Sequence, residues 1–281
     1  GWTILFLAGA PSAQPGRLGD IKMHLKPSIA LLQLNDIRLG LGSVCKESQA
    51  SKSFKLCIAP GERLAILGPS GAGKTTLLRL MALDASPIKG EVLFKGRAQQ
   101  SWPAAELSRH RAVMPQSCQV AFGLEVKLVI ALGRVSRRAD PFVSDIVFEA
   151  ARLARADHLL SRRCDTLSGG EYARVHLARV FAQLWDTRDG LILVDEPLSA
   201  LDLGLQEIIL QALDRFATER QHAIIAVLHD VNHALRTFDR LLLVKEGQLY
   251  ADIASKSQAI PLFESLYGLS LECLRTVDHA L

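Results

Sequence analysis

Gly68-Pro69-Ser70-Gly71-Ala72-Gly73-Lys74-Thr75 sets three glycines ahead of a lysine and a hydroxyl residue. Such a run lets the backbone curl until successive N–H groups point at one centre and bind anionic oxygens. A helix starting near Lys74 adds its unpaired first-turn N–H groups and the positive end of its dipole. Lys74 then supplies a point charge to the outer phosphates of a nucleotide. Thr75 offers a hydroxyl to a divalent cation, and Thr76 a donor to an inner phosphate. A second chemical pair, Asp195-Glu196, closes the apolar run Leu191-Ile192-Leu193-Val194. Both carboxylates thus leave the carboxyl end of a buried strand, the edge at which open α/β sheets hold ligands. Asp195 suits a magnesium ion, and Glu196 suits a general base that polarises water.

Those residues need a strand before the glycine loop and a helix after it. Arg63 to Leu67 is a short apolar run, and Lys74 to Ala82 carries Leu77, Leu78 and Met81 on one helical face. Upstream, Ile29 to Leu34 reads as a strand. Phe54, Leu56 and Ile58 alternate as the second strand of an antiparallel unit, before a turn at Pro60-Gly61. Glu91 to Phe94 with Lys95-Gly96 suggests a hairpin. Residues 117–170 read as a helical insertion, with Val143, Ile146, Val147, Ala150 and Leu153 at helical spacing. Helices over Gly170 to Trp185 and Leu203 to Glu219 then alternate with strands at Leu191 to Val194, Ile224 to Leu228 and Leu241 to Val244. This alternation predicts an α/β fold with a mostly parallel sheet.

Composition excludes several classes. With 49% hydrophobic residues, the 281-residue chain can bury a full core. Its 33 basic and 29 acidic side chains leave only +4, which argues against a nucleic-acid partner or an acidic substrate. Cys45, Cys57, Cys118, Cys164 and Cys273 are scattered without a C-x-x-C pair, as expected of reduced thiols used as apolar filler. No apolar run reaches the roughly 18 residues of a membrane span. Trp2 to Ala10 is short and has no basic residue before it, unlike a signal peptide. Met23 is expected to lie near the natural start. Residues 1–27 are then a flexible N-terminal extension, and 28–281 a single domain.

Leu167-Ser168-Gly169-Gly170-Glu171, upstream of Asp195-Glu196, resembles the signature of the ABC ATPase family. The resemblance runs from about Ile29 to Leu274. It implies a P-loop NTPase core with an antiparallel β subdomain and a helical insertion subdomain. It also implies that ATP lies on Gly68, Pro69, Ser70, Gly71, Ala72, Gly73, Lys74, Thr75 and Thr76. Ser168, Gly169 and Gly170 would grip the γ-phosphate of an ATP bound to the opposite subunit; a Ser-Gly-Gly helix start is a fair anion site by itself. Gln116, after Val113-Met114-Pro115, resembles the glutamine that senses Mg²⁺ beside Thr75 and Asp195. Ser199-Ala200-Leu201-Asp202 resembles the loop that crosses the dimer interface. His229, after Ala226-Val227-Leu228, resembles the histidine that bonds the γ-phosphate. Glu196, His229 and Gln116 are thereby the implied catalytic set. The chain departs from the family in three places: no Phe, Tyr or Trp lies between Ser28 and Ser53 to stack on adenine, Glu171 stands where glutamine is common, and Leu198 where threonine is frequent.

One copy of each motif per chain requires two chains head to tail around two ATP molecules, as a closed two-fold dimer. The family further implies transmembrane permease partners and a peripheral location on the cytoplasmic face of a bacterial inner membrane. Arg111 to Gln116, Ala121-Phe122, Ala131-Leu132-Gly133-Arg134, Leu177 to Leu184 and Leu228 to Asn232 resemble the group serving haem, siderophore-iron and cobalamin importers. Within it the match is best to bacterial haemin-import ATPases, which implies a periplasmic haemin-binding protein as an indirect partner. Siderophore-iron or cobalamin import is the alternative. A soluble ABC ATPase acting on DNA or ribosomes is a further one, although the chain has neither a heptad tract nor a second phosphate loop.

Overall fold

The computed structural model describes residues 2–7, 30–39, 53–115, 123–137, 139–196, 203–254, 259–267 and 270–275. Its strands are β1 (Trp2–Leu7), β2 (Leu32–Arg38), β3 (Phe54–Ile58), β4 (Arg63–Leu67), β5 (Lys89–Phe94), β6 (Arg97–Ala98), β7 (Arg111–Met114), β8 (Leu191–Asp195), β9 (Ala223–Val227), β10 (Arg240–Lys245), β11 (Gln248–Ile253) and β12 (Ser270–Arg275). The helices are α1 (Lys74–Met81), α2 (Ala104–Leu107), α3 (Val126–Ala131), α4 (Val143–Leu153), α5 (Gly169–Leu184), α6 (Leu203–Arg220), α7 (Val231–Thr237) and α8 (Ala259–Tyr267).

The central sheet has the order β11-β10-β4-β9-β8-β7, parallel throughout except for the β10–β11 hairpin. Its inner strands are apolar on both faces, as a sheet covered on both sides requires. Leu64, Ile66, Leu193 and Val227 join the core under α1 and the antiparallel sheet. Their neighbours Ala65, Leu67, Val194 and Ala226 join the core formed with α3 to α6. The single-residue alternation of a strand thus divides one sheet between two cores.

The second sheet is antiparallel, in the order β3-β2-β5-β6. Its leading strand lies further along the chain than the expected Ile29 to Leu34. The reason is a register shift between Leu34 and Ile37 against β3, with Asp36 at φ 52°. The extra residue turns Ile37 inward after Leu32 and Leu34, which breaks the period-2 pattern.

In the insertion, α3 and α4 pack on α5. Gly133 makes that approach possible, since a Cβ there would lie 2.4 Å from the Arg179 carbonyl oxygen. Arg134, 4% exposed, donates to the Ala182 carbonyl at 3.2 Å and pairs with Asp140 and Asp186. These contacts give the Ala131 to Arg134 segment a structural role, fastening the insertion to α5. At the chain ends, β1 pairs with β12 as a two-stranded antiparallel sheet beside α7. Trp2 to Leu7, read from sequence as part of a flexible extension, is therefore a strand. Its partner strand lies far along the chain, from Leu7 opposite Ser270, 263 positions apart, to Trp2 opposite Arg275, 273 apart.

Candidate functional site

The glycine loop joins β4 to α1 as the spacing requires. Gly68 leaves the strand flush against β10; a Cβ on it would stand 2.1 Å from the Val244 carbonyl oxygen, so only glycine fits. Gly73 caps α1 at φ 100° and offers no side-chain cap, and the first turn carries no acid. The N–H groups of that turn are consequently left for an outside acceptor. Behind the loop, the β10–β11 turn donates Gly247 N–H to the Ala72 carbonyl at 2.9 Å. The Tyr267 hydroxyl, at the end of α8, accepts from the Gly68 backbone. Nothing in the sequence pattern singles out Tyr267, because the contact joins segments about 200 residues apart.

Lys74 is 6% exposed and donates its ammonium to the Gly68 and Pro69 carbonyls, each at 3.0 Å. Burial pushes its pKa below the usual lysine range, and the charges of Glu196 and Asp195 oppose that push. A cation desolvated here, beside open N–H groups, favours an anion of high charge.

Asp195 ends β8, in parallel register with Val227 of β9, so both strands deliver their next residues to the same edge. Burial, then the Glu196 charge, raises the Asp195 carboxyl above its ordinary range; the Thr75 hydroxyl, bonded to it, lowers it in part. Its Oδ1 is buried without a hydrogen-bond partner. A hydroxyl, a carboxylate and one orphaned carboxylate oxygen fit a small hard cation that takes its remaining ligands from phosphate and water. Among the described residues no group of three or more His, Cys, Asp or Glu forms a self-sufficient metal cluster. Glu196 adopts φ 46°, a conformation costing about 1–3 kcal/mol in non-glycine residues and characteristic of functional sites. Its Oε1 lies 2.5 Å from Nε2 of His229, just beyond β9.

The structure thus brings Gly68 to Thr76, Asp195, Glu196 and His229 to one edge of the sheet. Ser168, Gly169 and Gly170 stand apart, at the start of α5. There Ser168 Oγ accepts from Glu171 N–H at 3.3 Å and Glu171 Oε2 accepts from Ser168 N–H at 2.8 Å, a reciprocal capping box. Gly170 admits the Leu205 side chain of α6, whose Cδ2 would lie 2.3 Å from an added Cβ. Gln116 and the Ser199 to Asp202 segment lie outside the described residues.

Residues 51–199 match the family model of the ABC transporter. The chain is similar to the hemin import ATP-binding protein HmuV of Pseudomonas entomophila (strain L48), at 41% identity over 79% of this chain and 86% of that protein. To HmuV of Pseudomonas putida it is 37% identical, over 86% and 94% of the two chains. Among solved structures it resembles the ATP-binding cassette MJ0796, a dimer in a post-hydrolysis state with ADP and phosphate. That match has TM-score 0.67 and 24% identity, covers 79% of this chain and 98% of that one, and bears on the fold alone.

Proposed function

This chain belongs to the ABC transporter family, and from that premise we propose that it is the ATP-hydrolysing subunit of a bacterial importer that takes up haemin across the inner membrane. The observation that carries the cargo is the similarity to two hemin import ATP-binding proteins over most of both chains. Support for hydrolysis comes from the edge where Lys74, Thr75, Asp195, Glu196 and His229 converge.

In this reading the Gly68 to Thr76 loop binds the phosphates of ATP, and Lys74 exchanges its two carbonyl partners for β- and γ-phosphate oxygens. Glu196 accepts a proton from the attacking water, and His229 holds both that carboxylate and the γ-phosphate. Thr75 and Asp195, with Gln116, would hold Mg²⁺, which when bound draws charge from the phosphate oxygens. Ser168, Gly169 and Gly170 close over the ATP of a second copy, with Asp202 at the interface, so that a head-to-tail homodimer completes two sites.

The permease partner is supported by the insertion. Leu128, Leu132 and Val135 are 49%, 51% and 80% exposed. With Leu124 and Val143 they line a groove of about 480 Å³, an apolar face suited to a permease segment. Among the described residues no helix is long and apolar enough to cross a membrane. The chain would therefore sit peripherally on the inner membrane, reaching a periplasmic haemin-binding protein only through the permease.

The test is growth of an iron-starved host lacking this gene, given haemin, a ferric siderophore or, as its required nutrient, cobalamin. Rescue by the wild type on haemin alone, and not by Glu196→Gln, is the expected result. Rescue confined to another nutrient would discard haemin and keep the motor; rescue by Glu196→Gln would remove the catalytic role of that carboxylate.

A further inference from the structure

The start of α5 presents a paradox of charge. In the reading above it receives a phosphate, yet its first turn carries the carboxylate of Glu171. That carboxyl is held below the ordinary glutamate range, first by the Ser168 N–H and also by Arg162, so it is anionic at neutral pH. An anion placed there uses up the positive end of the helix and repels the ligand.

Arg162 answers the charge. Its Nη1 donates to Glu171 Oε1 at 2.8 Å, and its Nη2 donates to the Thr166 carbonyl at 2.7 Å. Glu171 and Arg162 side chains are 22% and 41% exposed, which makes the pair worth little to folding alone. The neighbouring Arg163 is engaged elsewhere, paired with Asp165 at 2.9 Å. The main chain of Arg162 is fixed as well: its carbonyl accepts Val126 N–H at 2.9 Å, and Cys164 N–H donates to the Leu124 carbonyl at 2.9 Å. One residue therefore touches α3, the exposed face of the insertion, through its backbone and the signature turn through its guanidinium.

We propose that Arg162 is a positioning residue for the ATP gripped across the dimer: it cancels the Glu171 charge and pins the 162–171 loop, so that the start of α5 attracts phosphate. The inference rests on the head-to-tail reading of the dimer. Charge cancellation makes a prediction with opposite signs for the two partners, which a merely structural pair does not.

The experiment measures the ATP concentration that drives half-maximal dimerisation, by light scattering, with Glu196→Gln as the parent so that ATP is retained. Adding Arg162→Gln should raise that concentration tenfold or more, and Arg162→Lys should fall between the two. Adding Glu171→Gln should leave it equal or lower, and the Arg162→Gln/Glu171→Gln combination should return to within threefold of Glu171→Gln. Binding of a fluorescent ATP analogue to the monomers should be alike in all of them. A combination as impaired as Arg162→Gln alone, an Arg162→Gln protein within twofold of the parent, or a parallel loss of monomer binding would each overturn the proposal. If the parent itself never dimerises with ATP, the dimer reading falls, and the proposal falls with it.

Discussion

Two helix N-termini in this molecule are the proposed phosphate sites, and they are built in opposite ways. The start of α1 has no side-chain cap and no acid in its first turn. It can stay bare because the loop before it is wedged between β4, Val244 and the β10–β11 turn, with a buried core beneath. The start of α5 is exposed and must stabilise itself, which it does through Ser168 and Glu171 at the cost of a negative charge. A site completed within one chain thus keeps its donors open. The one proposed to wait for a second chain is closed by its own cap, and its negative charge is paired with Arg162.

The largest contrast should follow loss of the buried cation. Lys74→Met is expected to abolish nucleotide binding and lower hydrolysis by at least about 10³-fold. The nucleotide-free protein should nonetheless melt about 2–4 °C higher, because a desolvated ammonium is replaced by an apolar chain. Scanning calorimetry without nucleotide checks this, and a lower melting point would mean the loop depends on Lys74 for its own shape.

Glycine substitutions sharpen the same contrast. Gly68→Ala forces a Cβ against backbone that cannot yield and should cost about 1–3 kcal/mol in urea unfolding. At Gly169 an added Cβ meets nothing within 4 Å, so Gly169→Ala should stay within about 0.5 kcal/mol of wild type. Equal losses at the two sites would erase the distinction between a wedged and an open terminus.

Acid should act next. Burial holds His176 on α5 and His222 before β9 to about 4. Between their unfolded value near 6.5 and about 4, the unfolded chain binds protons that the folded one refuses, so stability falls as pH falls through that window. At pH 5 the loss should be up to about 2 kcal/mol per histidine, and His176→Leu should remove its share. Urea curves at pH 7.5 and 5 decide this; an unchanged slope in His176→Leu would show that the ring finds a partner on protonation.

A modest loss of folding stability belongs to the cap. Ser168→Ala should cost about 1 kcal/mol in thermal unfolding, through the lost acceptor for Glu171 N–H. A loss near zero would show that Glu171 and Arg162 carry the turn without it.

Much of this was readable in order along the chain. The glycine loop, the strand ending in Asp195-Glu196 and the long amphipathic helix over α5 each sit in one local segment whose pattern matches its environment. β2 was misplaced because a bulge breaks alternation at Asp36, and alternation was the signal. β1 escaped notice for a different reason: its partner is β12, and no local period reports a pairing between the two ends of a chain.

Residue types and spacing by themselves pointed to a phosphate-binding loop at Gly68 to Thr75 and to where the carboxylates would emerge, while the family resemblance pointed to the start of α5 as a second phosphate site. Those are properties of short runs, set by backbone freedom at glycine and by side-chain chemistry. Only the tertiary structure decided that Glu196 meets His229, that Thr75 meets Asp195 while leaving Oδ1 open, and that Arg162 rather than Arg163 answers Glu171. Such pairings depend on strand register and on angles of approach, which follow from packing two cores against one sheet and are not written in any single segment.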